Sequence, residues 1–237
     1  MKIYFGLDDS GRGPVIGPML LAGVALNEEQ KYYLKSIGVK DSKLLSSQKR
    51  KQYEEEIKKN CLAFKLIKVT PQEIDKKLNY KINLNKIEAI KFASIVNELY
   101  FELKNKFNKI NPIIIVDCPS TNIKKWKEFF EEYINDEIKK NSMIIVKHKA
   151  EKHVFVAAAS ILAKEERERE IEKIKKEINF DFGSGYPSDP KTIEFLKSKK
   201  YKEIEKNNYF VRQSWNTIKK LKEEKQKKLK DFFVIFL

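Results

Sequence analysis

Cysteine is nearly missing from this chain. Cys61 and Cys118 are the only two in 237 residues, which excludes a disulfide framework, and no Cys/His spacing suits a structural zinc ion. A reducing compartment is the expectation. Long hydrophobic runs are missing too: the apolar ending FFVIFL is far short of the roughly 20 residues a membrane-crossing helix needs. The first residues enter an apolar run without the basic region, apolar core and small-residue cleavage site of a secretion signal. The expected location is therefore the cytoplasm, with no membrane partner. Acidic residues are in deficit, 34 Asp and Glu against 49 Lys and Arg, for a net charge of +15. Such a surplus attracts polyanions in a salt-dependent way, so nucleic acid is the first partner to consider. A genome that favours Lys codons would produce the same excess. The signature of disorder is absent as well, because 41% hydrophobic and 35% charged residues describe a globular chain with an ionised surface. One main domain is expected, and no internal repeat is evident.

What the chain does contain is a set of apolar runs separated by helical periodicity. Residues 2–8 and 17–26 read as strands of a hairpin joined by a Gly/Pro-rich turn. Residues 63–69, 112–117 and 143–148 are further strands, the fourth an unbroken apolar run of the kind buried on both faces. Helical spacing covers 46–59, 71–78, 84–106 and 122–139. Pro71 suits a first helical position, and Leu84, Ile87, Ala89, Ile90, Ala93 and Val96 form an apolar stripe. A helix over about 153–178 begins apolar (VFVAAASILA) and turns charged (KEERERE). A loop, DFGSGYPSDP, precedes helices near 190–200 and 212–230. Alternating strands and helices predict an α/β fold.

The chemistry concentrates in GLDDSGRGPVIGP, residues 6–18. Asp8 and Asp9 occupy consecutive strand positions and so face opposite ways, unless a bulge or the strand end brings both to one site. Asp117 also ends a strand, where α/β sheets place their chemistry, and Glu151 follows the fifth strand closely enough to complete a cluster. Clustered carboxylates suit Mg²⁺ or Mn²⁺, and two such ions clamp the attacking water and the leaving oxygen of a phosphodiester. Taken singly, an Asp at a strand end is more often a turn cap, and KEERERE a solvated helix face.

Six ordered stretches decide the matter: GLDDSGRGPVIGP (6–18), GVKDSKLL (38–45), IIVDCPSTN (114–122), HKAE (148–151), AAASILAKEERERE (157–170) and GSGYPSDPKT (183–192). Together they resemble type 2 ribonuclease H (RNase HII), in its archaeal and eukaryotic-like branch, over nearly the whole chain. The resemblance implies an RNase H-like fold, a central mixed sheet flanked by helices with a helical C-terminal extension. It divides the chain into a catalytic domain at 1–188, the extension at 189–224 and a tail at 225–237. It implies a site of Asp8, Asp9, Asp117 and Glu151 holding two divalent ions. Two positions depart from the family pattern: Asp9 stands where Glu is usual, and Glu151 where Asp is usual, although the sister type 3 enzymes carry Glu there. These swaps compensate, shift the metal preference towards Mn²⁺, or weaken the enzyme. At 152–156 (KHVFV) the chain is one residue shorter than the family, which leaves the start of the next helix open and Glu168 as a distant alternative ligand.

The resemblance also implies that Gly11, Arg12 and Gly13 wrap a ribonucleotide. Glycines let the main chain approach the sugar and read its 2′-hydroxyl, and Arg12 can take the neighbouring phosphate. Tyr186 resembles the tyrosine that packs on the following deoxyribose; otherwise it fills a local core. Lys43 resembles a substrate-contacting lysine, with Lys149 a weaker one, while Asp41 and Ser42 shape that turn. The implied activity is a monomeric endoribonuclease that cuts RNA in RNA/DNA hybrids and single ribonucleotides in duplex DNA, serving ribonucleotide excision repair and RNA primer removal. A catalytically weakened hybrid-binding protein is the alternative. Finally, QKKLKDFF (226–233) resembles the sliding-clamp binding motif through Gln226, Leu229, Phe232 and Phe233. An amphipathic tail folded back on its own domain is the other reading.

Overall fold

Strand β1 (Ile3–Ser10) pairs on one side with β2 (Met19–Asn27), antiparallel, and on the other with β4 (Ile113–Asp117), parallel. β3 (Ala63–Val69) pairs antiparallel with β2 and β5 (Met143–Lys147) parallel with β4, giving one mixed sheet in the order β3-β2-β1-β4-β5. The two central strands, β1 and β2, are buried on both faces almost throughout, whereas the outer strands β3 and β5 are only partly covered. This explains why IYFGL and MLLAGVAL read as continuous apolar runs rather than alternating ones. The computed structural model describes residues 2–205 and 209–235, with side chains through Glu224 and at Gln226.

Helices cover both faces of this sheet. On one lies α4 (Leu84–Phe107), capped by Asn83, which packs on β2 and β3 and buries Ile87, Phe92, Val96 and Leu99. On the other lies the first half of α7 (Val154–Ile178), where Val156, Ala157, Ala159, Ile161 and Leu162 join Tyr4, Leu20, Ala22 and Val24 in one apolar cluster. Gly6 makes that approach possible, because a Cβ there would collide with the main chain of Phe155 and Val156. The start of the helix thus rests directly on the central strand.

The chain divides into two compact units. The first comprises Met1–Arg12, Met19–Val69 and Ile82–Glu168, and contains the sheet. The second comprises Gly13–Pro18, Thr70–Lys81 and Arg169–Leu237, and so includes α3 (Pro71–Asn79), α8 (Pro190–Lys197), α9 (Lys199–Ile204) and α10 (Asn216–Ile235). Its own core collects Val15, Ile16, Ile171, Phe182, Phe195 and Phe210. Among the described residues no helix is long and apolar enough to cross a membrane.

Sequence expectation and structure part in three places. The helix expected at 122–139 is two, α5 (Ile123–Glu132) and α6 (Asp136–Asn141). Asn135 interrupts them because its side chain accepts the Glu137 amide at 2.9 Å and caps the second. The helix near 190–200 likewise breaks at Ser198, whose Oγ accepts the Tyr201 amide at 3.1 Å. A helix not expected at all, α1 (Glu28–Ser36), follows β2 directly. Its signal was legible: Asn27 and Gln30 form a reciprocal capping box, with bonds of 2.8 and 3.0 Å. The remaining helix, α2 (Ser47–Asn60), starts within a residue of expectation, at its Ser46 cap.

Candidate active site

The pairing of β1 with β2 continues unbroken through Asp8↔Ala22, Asp9↔Leu21 and Ser10↔Leu20, so no bulge redirects the acidic pair. The register with β4 brings Asp8 beside Asp117 instead. Parallel pairing of β1 with β4 stops at Leu7↔Val116, one residue before Asp8 on one strand and before Asp117 on the other. Two carboxylates therefore stand side by side where adjoining parallel strands finish, the position from which α/β sheets present their functional groups.

Asp8 is only 8% exposed. Its carboxylate accepts the Asp9 amide at 2.8 Å and a hydrogen bond from the Ser160 hydroxyl on α7. Ser160 Oγ lies 2.9 Å from Ser42 Oγ, and both serines are buried. Burial pushes the Asp8 carboxyl well above the usual carboxylate range, and the charges of Asp9 and then Asp117 push it further, against the pull of its hydrogen bonds. Asp117 is raised for the same leading reason; the Ala150 amide, 3.1 Å away, opposes the shift and the neighbouring Glu151 adds to it.

Glu151 is placed by a tight turn. Lys149 takes a left-handed conformation, φ 54°, and leads into a 3-10 turn over Ala150–Lys152 that closes with His153 N–H donating to the Ala150 carbonyl at 2.9 Å. The Cys118 amide donates to the Lys147 carbonyl at 2.9 Å, and His148 Nδ1 sits 3.0 Å from the Cys118 carbonyl. The ends of β4 and β5 are thereby locked together with Glu151 against Asp117. Helix α7 starts at Val154. Glu168 lies about 12 Å further along that helix than Ser160, at 1.5 Å per residue, where its charge acts on Lys164.

No three carboxylate, histidine or cysteine side chains among the described residues already form a metal cage. The donor set nevertheless fits a hard divalent cation: one Glu151 carboxylate oxygen is buried without a hydrogen-bond partner, and Asp8 is buried against two like charges. Both are conditions that a cation relieves.

Lys43 sits exposed in a 3-10 turn over Ser42–Leu44, capped by Asp41 accepting its amide at 2.9 Å, and its charge lowers the Asp117 carboxyl. Lys149 is exposed beside Glu151. Arg12 is held in place: its guanidinium donates to Glu88, which is fully buried on α4, and to Asn85 Oδ1 at 2.6 Å. In the second unit, Gly13 offers its carbonyl to Trp215 Nε1 at 3.0 Å, and a Cβ on Gly13 would lie 3.5 Å from the Tyr186 ring. Tyr186 itself is 38% exposed. Arg212, wholly buried, donates to the Gly17 carbonyl at 3.0 Å with its guanidinium 4.7 Å from the Trp215 ring centre. Gln226 is exposed on α10, while the side chains of Leu229, Phe232 and Phe233 lie outside the described residues. Sequence reasoning missed Ser160, Glu88, Arg212 and Trp215; none sits in a pattern whose chemistry shows before the contacts do.

A five-stranded mixed sheet with carboxylates where its central parallel strands end defines a nuclease-type enzyme of the RNase H-like fold. Residues 5–218 match the family model described as Ribonuclease HII. A Ribonuclease HII from Methanococcus maripaludis is 42% identical over 227 residues, 94% of this chain and 88% of that protein. The ribonuclease H2 of Pyrococcus horikoshii superposes with a TM-score of 0.78 at 35% identity, covering 94% and 98% of the two chains. The RNase HII of Archaeoglobus fulgidus, solved as a complex with PCNA, gives 0.74 at 38% identity, covering 91% and 95%. The chain belongs to the ribonuclease HII family, and with it to the metal-dependent endoribonucleases.

Proposed function

We propose that this enzyme hydrolyses the RNA strand of RNA/DNA hybrids and cuts on the 5′ side of single ribonucleotides in duplex DNA, leaving 3′-hydroxyl and 5′-phosphate ends. The observation that carries the reading is the continuous chain of interacting carboxylates from Asp9 through Asp8 and Asp117 to Glu151, on a protein of charge +15. These four side chains would hold two divalent ions, Mg²⁺ or Mn²⁺, which would neutralise charge at the scissile phosphate and lower the pKa of the attacking water.

The chain's own residues do the rest. Ser160 and the Asp9 amide orient the Asp8 carboxylate, and the Ala150 amide orients Asp117. Lys43 brings a positive charge towards the acidic cluster from the edge where the substrate phosphates would arrive, with Lys149 as a second contact. The ion pair and amide contact of Arg12 with α4 shape the loop, so the 2′-hydroxyl is read by the main chain of Gly11 to Gly13, with the Arg12 guanidinium beside the neighbouring phosphate. Tyr186 tests the following sugar. The tail at 225–237 docks on a sliding clamp, a reading supported by the PCNA complex of the Archaeoglobus fulgidus relative. The enzyme acts as a monomer in the cytoplasm, with its catalytic part in 1–188 and its helical extension in 189–224. The test is incubation with duplex DNA bearing one ribonucleotide, in Mg²⁺ and separately in Mn²⁺, with both ends mapped. Cleavage 3′ of the ribonucleotide, or none with either metal, refutes the assignment.

Two further results are expected. If Asp9 and Glu151 compensate for each other's length, Asp9→Glu and Glu151→Asp each lower kcat by about 10-fold or more, since a ligand misplaced by ~1 Å costs up to roughly 100-fold, and the double variant recovers activity. Additive losses in that cycle exclude compensation. Tyr186→Ala lowers cleavage at a single-ribonucleotide junction about 10-fold more than in a long hybrid, because only the junction presents a deoxyribose to the ring. Equal losses on the two substrates make Tyr186 a packing residue.

A further inference from the structure

A cavity of about 800 Å³ opens on the first unit beside the carboxylates, within the roughly 300–1,000 Å³ that small-ligand sites occupy. Its floor is apolar, made by Tyr4 on β1, Ile113 and Ile115 on β4, and Phe155 at the start of α7. Its walls carry Lys31, Lys35, Lys40, Lys149 and Lys152 against only two acids, Asp41 and Glu151. Lys31 is engaged, paired with Glu28 and 4.3 Å from the Tyr4 ring centre. The other four lysines are exposed and make no ion pair among the described residues. Tyr32, 60% exposed, also lines the cavity.

An apolar floor, an exposed aromatic ring that Lys31 Nζ approaches to 4.8 Å from its centre, and a surplus of unpaired ammonium groups are complementary to one chemistry, a flat ring carrying a phosphate. A purely apolar ligand would leave the lysines without a counter-ion, and an inorganic anion would leave the floor unfilled. We propose that this cavity binds a nucleoside phosphate unit, its base against Tyr32 and the apolar floor and its phosphate on Lys35 and Lys40. Because Glu151 and Lys149 both line it, an unpaired nucleotide of the substrate can reach it from the cleavage site. This source rests on the ribonuclease reading above; a free nucleotide is the other source of the same chemistry.

The experiment uses the full chain and has two arms. In the first, adenosine 5′-monophosphate is titrated calorimetrically into protein freed of divalent metal, where the acidic cluster repels phosphate and leaves the lysine-walled cavity to bind it. Lys35→Glu combined with Lys40→Glu is expected to weaken binding at least 10-fold, and Tyr32→Ala several-fold, with thermal melts confirming that each variant folds. In the second, binding of an RNA/DNA hybrid with a single-stranded overhang is compared with that of a blunt hybrid. The wild type prefers the overhang and the lysine variant does not. Loss in the first arm establishes the cavity for free nucleotide, and loss in the second alone establishes it for a substrate strand. If neither the nucleotide nor the overhang distinguishes the wild type from the variants, the proposal is overturned. Failure of the wild type to cleave any hybrid would instead sink the ribonuclease reading, and the first arm would still report on the cavity.

Discussion

Asp8→Asn is expected to abolish cleavage while making the metal-free protein more stable. Partners that merely orient a metal ligand are worth about 10–100-fold, and Asp8 is itself the most buried of the four carboxylates, hydrogen-bonded to Ser160 and flanked by Asp9 and Asp117. Its loss should exceed that range, so a variant that keeps a tenth of wild-type activity would refute its role. The stability change has a definite sign. Burial and like charges raise the Asp8 carboxyl in the folded state, so folding favours its protonated form. The wild type is penalised once pH rises through the unfolded value near 3.9 towards the folded one, and the penalty is full above the latter. Asn removes the charge and with it the penalty. Relief of even ~1 kcal/mol raises the melting temperature by about 2–4 °C for a chain of this size. Melts in EDTA should show the variant ahead at pH 8 and level with the wild type where Asp8 is protonated. Added Mn²⁺ should reverse the order at pH 8, since only the wild type gains binding free energy, ~2.7 kcal/mol when metal is at 100 times its dissociation constant. A variant that melts below the wild type in EDTA at pH 8 would contradict the electrostatic account.

The second large effect concerns the tail. A peptide covering 222–237 should bind the cognate sliding clamp, and the same peptide with Phe232→Ala and Phe233→Ala should show no measurable binding. Anchor rings of this kind cost at least about 2 kcal/mol each when truncated, roughly 30-fold apiece. Backbone helix extends to Ile235, so Gln226, Leu229 and the two phenylalanines sit at helical spacings of three and four. Calorimetric titration of both peptides decides the matter. Equal binding, or none by the unmodified peptide, assigns the apolar tail to the protein's own surface and removes the clamp as a partner. In the full chain, the same pair of substitutions should leave hybrid cleavage without clamp unchanged, because none of the four carboxylates belongs to the tail.

How much of this was legible in advance varies by residue. The five strands could be read within two residues at each end, the inner ones because burial on both faces makes them nearly continuous apolar runs. The four carboxylates could be named because Asp117 and Glu151 end or follow strands and because the ordered motifs resemble those of the ribonuclease HII family. Helix α1 was readable in principle from Asn27 and Gln30, and the break at Asn135 from its capping chemistry, yet periodicity alone smoothed over both. The tertiary structure alone decided that no bulge interrupts β1 at Asp8 and Asp9 and that Asp8 stands beside Asp117, since pairing register is a property of two strands. It alone showed that Ser160, far along the chain on α7, holds Asp8, and that Glu88 on α4 holds Arg12. Those contacts arise because Gly6 lets one helix lie against the central strand and because α4 covers the opposite face. A local pattern carries a residue's chemistry and its place in an element. Which distant side chain completes its hydrogen bonds is set by helix packing, and that is a property of the assembled chain.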